Sequence, residues 1–568
     1  MTIVERNLRY ALVALICATT ITQAQDKPRP SGSSVDSLRP PRHGVRKKAD
    51  ISFPEFIITG TEIITPASAE KMPPVTRSGF TLGREPNLYW GPRWHRGLKQ
   101  SILRPFPSRQ TELTVRVGGG MFTTLGGEAL LKRRMAKGDL FARGSVEAAN
   151  GYRDNTDYTV ASFGLGAGSW FPFRQGNLLS RSRIQGAVDF SARRYSLFAN
   201  DIRRDTLTRR STDLFSYKVD LLSRQNALFN YTVTAGGRHL FMTDMTSASA
   251  MTTTEESSPS ENRFFVDMAI DRRYESLHPY ARLALEVNPY APGYGPSSTP
   301  VFFRLGAGSS WEVTRELIVT GGATMYVFNG TILPTSVRIY PEASIRYALG
   351  REWRSYLAFS PRVTSNTYTT LLQENPYLSG DVELRPDEIP VSVTLGLEFD
   401  RRVLSGLRAE ISYDIANRLH YFDTTTLVDR WDVAYNGVTR IFRFRLEGFG
   451  RVWQNGLVRG SIVIQESRNE ALDARLPYLP LYSGSLSYEH RFPFGLSATA
   501  IVSLVGQRNT GTAELDPYVL GDLEISYDIT AHWSVYLAAR NITDTRYVVW
   551  DNYQARPLFA GGGISWRL

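Results

Sequence analysis

Cysteine is nearly absent: the chain has one, Cys17, in 568 residues. No disulfide within the chain can help it fold. Long apolar runs are also missing after residue 25, and mean hydropathy is −0.25, which excludes a helical membrane protein. No long window shows the 3.6-residue period of a helical bundle. Lysine stops at Lys218, so the net charge of +11 is carried mostly by Arg. Those basic residues alternate with apolar ones instead of clustering, which argues against a nucleic-acid partner. Catalytic signatures are lacking too. The seven histidines stand at no metal-ligand spacing, and there is no Gly-x-Ser-x-Gly, His-Glu-x-x-His or phosphate loop. No enzyme and no cofactor are expected.

What is present begins with an export signal over residues 1–24. Arg6 and Arg9 precede the apolar "YALVALICATTI", and "TQA" ends at Ala24 with small residues suited to cleavage. Cys17 follows Ile16, where a lipoprotein site would need a small residue. From Thr111 onward the chain alternates with period 2 in long segments. In "LRAEISYDI", Leu407, Ala409, Ile411, Tyr413 and Ile415 oppose Arg408, Glu410, Ser412 and Asp414. "IFRFRLEG", "LEISYDI" and "FSYKVDL" repeat the pattern. One apolar and one charged face, over strands longer than those of soluble sheets, is what a bilayer-spanning barrel requires.

Loop lengths test this independently. Short links such as "WEVTRE", "LGREW", "RFPFG" and "TAHW" alternate with long polar ones such as "TSASAMTTTEESSPSEN" and "GQRNTGTAELDPY". That asymmetry predicts short periplasmic turns and long outer loops. Pairing "TELTVRVGGG" with "LGGEALLKRR" brings the expected count to 22 strands over residues 111–568. The fold class is therefore all-β, a transmembrane antiparallel β-barrel of the outer-membrane type.

Three stretches carry a resemblance to one family. "ANGYRDNTDY" (Ala149 to Tyr158), "ENPYLSGDVELRPDEIPVSVTLGLEF" (Glu374 to Phe399) and "LAARNITDTRYVVWDNYQARPLFAGGGISWRL" (Leu537 to Leu568) resemble segments of the TonB-dependent outer-membrane receptors. The resemblance covers roughly residues 111–568 and implies solute uptake across a Gram-negative-type outer membrane. Two departures stand out. Family members usually finish on an aromatic residue read by the barrel-assembly machinery. Here Leu568 is last, with Trp566 and Ile564 on the same face. Family members also fold a plug domain inside the barrel. Here about 50 residues, rich in Pro, separate Gly60 from Thr111, which is too short for such a domain. Residues 25–110 are thus expected to form a periplasmic or luminal segment without a full plug.

Within that segment "FPEFIITGTE" resembles the stretch that leads into the plug and pairs with TonB by strand addition. Glu55, Phe56, Ile57, Ile58, Thr59 and Gly60 are the candidate partner-binding residues, for TonB or another periplasmic protein. A blander reading has the patch only hiding its apolar surface. "TLGREPNLYWGPRWHRGLKQ" either lies in the barrel mouth, Arg93, Arg96 and Lys99 facing the wall, or stays a periplasmic tail. Glu374, Asp381, Asp387 and Glu388, in the outer loops, either bind a divalent ion or solvate their loop.

Two functions remain open at this point. One is solute transport; the other is a non-transporting scaffold whose lumen is permanently filled. An open Arg-lined lumen would favour anion passage, and Arg–Glu layers bridging it would favour the scaffold.

Overall fold

Strands form wherever the sequence alternates, in a computed structural model that describes residues 111–135, 138–171, 182–198, 206–223, 229–248, 254–272, 274–401, 405–424, 429–453, 455–511 and 513–568. The export signal, the segment 25–110 and the patch Glu55 to Gly60 lie outside the described residues.

Among the described residues 22 strands close into one antiparallel ring. The first eleven are β1 Thr111–Gly120, β2 Thr124–Met135, β3 Gly138–Ala149, β4 Tyr158–Trp170, β5 Ser182–Leu197, β6 Thr206–Ser223, β7 Asn230–Ala248, β8 Ser260–Asp271, β9 Leu277–Val287, β10 Val301–Glu312 and β11 Leu317–Phe328. The others are β12 Ser336–Ala348, β13 Trp353–Phe359, β14 Val391–Asp400, β15 Ser405–Ala416, β16 Thr439–Trp453, β17 Gly456–Asn469, β18 Tyr482–Arg491, β19 Leu496–Val505, β20 Tyr518–Asp528, β21 Trp533–Arg540 and β22 Phe559–Arg567. Two short segments, Thr254–Ser257 and Tyr290–Ala291, add to the sheet inside long links.

Each strand pairs with its neighbour in sequence, and β1 pairs with β22 to complete the ring. Closure satisfies the backbone donors and acceptors that an edge strand would leave bare in lipid. At the seam Gly118, Gly119 and Gly120 oppose Gly563, Gly562 and Gly561. A Cβ on Gly563 would stand 2.1 Å from the Val117 carbonyl oxygen and 2.7 Å from Tyr536 Oη, so the close approach there requires glycine.

The apolar face of every strand looks outward. Leu305, Ile339, Leu395, Phe442 and Leu537 are all exposed there, as a lipid-facing belt demands. Trp311, Trp353, Trp453 and Trp533 stand exposed at the short-turn end, where an aromatic girdle meets the membrane interface. Ile564 and Leu568 are exposed on the same outward face, and the Leu568 amide donates to the Leu113 carbonyl at 2.9 Å.

Small buried clusters lie on the wall, such as Phe302, Tyr326 and Phe328, but the main one does not stay there. It gathers at the long-loop end, where the links fold inward and pack together.

Candidate functional site

The 360–390 link carries the one helix among the described residues, α1 Tyr368–Glu374. Thr367 caps it, accepting from the Thr370 amide at 3.1 Å. Its first turn lands on Glu261, a fully buried carboxylate on the inward face of β8. Glu261 accepts from the amides of Tyr368 at 2.6 Å and Thr369 at 2.8 Å, from Thr369 Oγ1 at 2.5 Å, and from Asn288 Nδ2 at 2.8 Å. A negative charge at a helix start is favourable, and these bonds offset the cost of burying it.

The next anchor is Pro376. Its carbonyl oxygen accepts from Tyr195 Oη at 2.6 Å and from Arg210 Nη1 at 2.8 Å. Arg210 is itself fully buried and held bidentate by Asp244, at 2.7 and 2.6 Å. Tyr290 and Tyr368 stack, and their hydroxyls donate to the carbonyls of Gly380 and Ser379 at 2.8 and 2.9 Å. Burial pushes the Tyr368 hydroxyl well above its ordinary range, so it stays a neutral donor.

Links from three other sectors of the ring then meet α1's link. Tyr377 stacks on Tyr553 of the 541–558 link with ring centroids 3.5 Å apart. Tyr553 Oη donates to the Asp429 carbonyl at 2.8 Å, and Trp431 Nε1 donates to Tyr478 Oη at 2.9 Å. Trp550 packs against Phe422, Trp431 and Tyr478. Arg430 reaches β6, donating to Thr208 Oγ1 at 3.1 Å. These contacts join strands from opposite sides of the ring and draw the links across the long-loop mouth. The result is an aromatic cap with the packing of a protein core.

A second cluster locks the cap's edge. His420 is buried between Asp387, 2.8 Å from Nδ1, and Glu374, 3.1 Å from Nε2. Burial alone would drive the imidazole neutral, but the two carboxylates outweigh it and push its pKa up to about 10. Glu388 accepts from Arg338 and Tyr340 of β12 at 2.7 and 2.8 Å. Asp381 accepts from the Tyr294 amide at 2.6 Å. The four loop carboxylates with a possible ion-binding role are thus engaged by protein donors. Among the described residues no group of His, Cys, Asp and Glu is arranged to hold a metal ion.

The wall beneath the cap is ionic, and several of its charges are paired along it. Arg143 meets Asp189 at 2.7 Å, Arg263 meets Glu286 at 2.8 Å, Arg304 meets Asp267 at 3.1 Å and Arg540 meets Glu524 at 3.3 Å. These partners sit on adjacent strands or strands one apart. These pairs run along the wall, while Arg282 stands exposed on the inward face of β9 with its guanidinium over the Tyr280 ring.

The three stretches that resemble receptor segments come together in space. Tyr152 donates to the Gln554 carbonyl, Arg556 Nη2 donates to Tyr158 Oη at 2.6 Å, and Pro376 and Tyr377 lie at the cap's centre. Glu261, Arg210 and Asp244 were not anticipated as site residues. The one signal for the cap was the aromatic content of links otherwise polar, since Trp431, Tyr478, Trp550 and Tyr553 need somewhere to hide.

No family model and no curated protein sequence matches the chain. Its fold is shared with solved structures. The copper transporter OprC aligns at TM-score 0.61 and 12% identity, over 81% of this chain and 80% of that one. The FrpB iron transporter from Neisseria meningitidis (F3-3 variant) aligns at 0.63 and 9%, over 81% and 82%. The siderophore receptor PiuA from Acinetobacter baumannii aligns at 0.60 and 11%, over 81% and 82%. The chain is thus a closed 22-stranded antiparallel barrel of the outer-membrane type.

Proposed function

We propose that the chain is a receptor-like uptake barrel of a Gram-negative-type outer membrane, with its long loops outside and its cap as the outer gate. The observation that carries this reading is the loop cap drawn across the long-loop mouth, where Pro376, Tyr377, Asp429 and Tyr553 from separate links meet. The motif resemblance to TonB-dependent receptors supports it, and so does a fold shared with transporters of copper and iron and a siderophore receptor. Metal ions or their chelates are the substrate class to test first. In this reading residues 25–110 are a periplasmic or luminal segment without a full plug, Glu55 to Gly60 recruit TonB or another periplasmic protein by strand addition, and Ile564, Trp566 and Leu568 serve barrel assembly.

The test is accumulation of labelled copper, ferric and ferric-siderophore complexes by cells expressing the full chain, a variant lacking residues 26–110, or a variant with Ile57→Pro. Expression-dependent uptake that the Pro substitution abolishes supports an energised receptor. Uptake of none of the panel favours the scaffold reading. One observation speaks for that second reading: the cap buries Trp431, Tyr553 and Phe422 as fully as a permanent core would.

A further inference from the structure

Among the described residues arginine is scarce on the outward face at the long-loop edge of the belt, and it falls in two places. On β16 and β17, Arg440 and Arg468 are satisfied: Arg440 pairs with Glu470 and Arg468 with Asp473, both at 2.7 Å. On β5 and β6, Arg194 and Arg209 are exposed, and among the described residues neither makes an ion pair. Ser211 lies directly opposite Arg194, so Arg209, two residues along, is its diagonal neighbour on the same face. Diagonal Cβ atoms are about 7–8 Å apart, close enough for two guanidinium groups to converge on one phosphate. Asp213 occupies the other diagonal and makes no ion pair with either arginine.

Toward the belt, Phe215 lies four residues along β6 from Ser211 and six from Arg209, roughly 13 and 20 Å, in an unusual outward patch. His239 stacks on Phe215 and meets Phe264 edge-on, with centroids 6.1 and 5.4 Å away. Its Nδ1 hydrogen-bonds Asn262 Oδ1 at 2.8 Å. The exposed apolar face continues past this patch through Phe241 and Met245, opposite Asp213 and Arg209, so the arginines stand at its long-loop edge. Cationic side chains standing at that edge are placed for headgroup phosphates.

We propose that this face of β5–β8 binds an anionic, phosphate-bearing lipid of the outer leaflet. Arg194 and Arg209 hold the phosphate, and the acyl chains lie against Phe215, His239 and Phe264. The inference rests on the outer-membrane orientation proposed above. Charge complementarity selects the occupant, because a neutral lipid would leave both arginines unanswered at the membrane surface.

The test starts from the full chain extracted in mild detergent, reading bound lipid by native mass spectrometry and by phosphorus per protein. It is followed by stabilisation in vesicles with and without phosphate-bearing lipid A. Arg194→Gln with Arg209→Gln is compared with Arg440→Gln with Arg468→Gln, folding of each being checked by heat-modifiable gel mobility. The first pair is expected to retain the phosphate-bearing lipid roughly thirtyfold more weakly, and the second to match the native chain. Equal retention by all three proteins would overturn the proposal, as would loss in both variants alike. Displacement by inorganic phosphate would also overturn it, since that describes an anion site and not a lipid site. Failure of the chain to fractionate with outer membranes would count against the orientation alone, because the vesicle measurement still reads the face directly.

Discussion

Glu261 holds the start of α1 to the wall through three bonds, with Asn288 supplying a fourth. Glu261→Gln keeps the shape and removes the charge, so the expected cost is about 1.5–3 kcal/mol at the cap. Hydrogen exchange over residues 360–390 should speed up by at least tenfold while the strands keep their protection; unchanged exchange would show that the anchor is idle. Arg210 and Asp244 make a different case, since each is buried and each neutralises the other. Arg210→Met alone strands a carboxylate and should destabilise by about 3–5 kcal/mol, while Arg210→Met with Asp244→Leu should recover most of it. Urea unfolding in lipid separates the two outcomes. None of these residues was legible beforehand. Glu261 sits inside the polar run "TSASAMTTTEESSPSEN", which reads as loop to its end, whereas β8 already begins at Ser260. What makes Glu261 special is a helix 100 residues away, which no local pattern reports.

At the scale of elements, the strands were legible because their two faces meet different solvents. Lipid outside and water or paired charge inside force strict alternation, as in Leu407 to Ile415, and the observed faces follow it. The links escaped because a cap has no period: its aromatics come from separate loops, each with only one or two. His420 gives the cap a pH dependence with a definite sign. Its pKa is raised from the ordinary 6.5 to about 10, so its stabilising contribution is complete below pH 6.5. That contribution declines above pH 6.5 and is lost as pH rises through about 10. Proteolysis within residues 417–438 should therefore accelerate between pH 7 and pH 10, and His420→Gln should be fast at both and flat between them. A native chain whose cleavage is equally slow at pH 10 would contradict this reading of the cluster.

For the whole molecule, ring closure depends on the glycine pairs between β1 and β22. Gly563→Val meets the backbone of Val117 and Gly118 and the Tyr536 hydroxyl, so the refolded protein should lose its heat-modifiable shift in gel mobility. The count of strands and the two-ended asymmetry of the loops could be read from spacing alone. That the long loops close over the mouth could not, because the contacts join residues as distant as Tyr195 and Pro376, or Tyr553 and Asp429. The claim on which the rest depends is that this cap, and not the wall, shuts the outer mouth. It is tested most directly by single-channel conductance in a planar bilayer, comparing the chain lacking residues 26–110 with the same chain carrying Glu261→Ala and Tyr553→Ala. A closed first protein and large, long-lived openings in the second are the expected result. Equal conductance, whether both open or both shut, would contradict it.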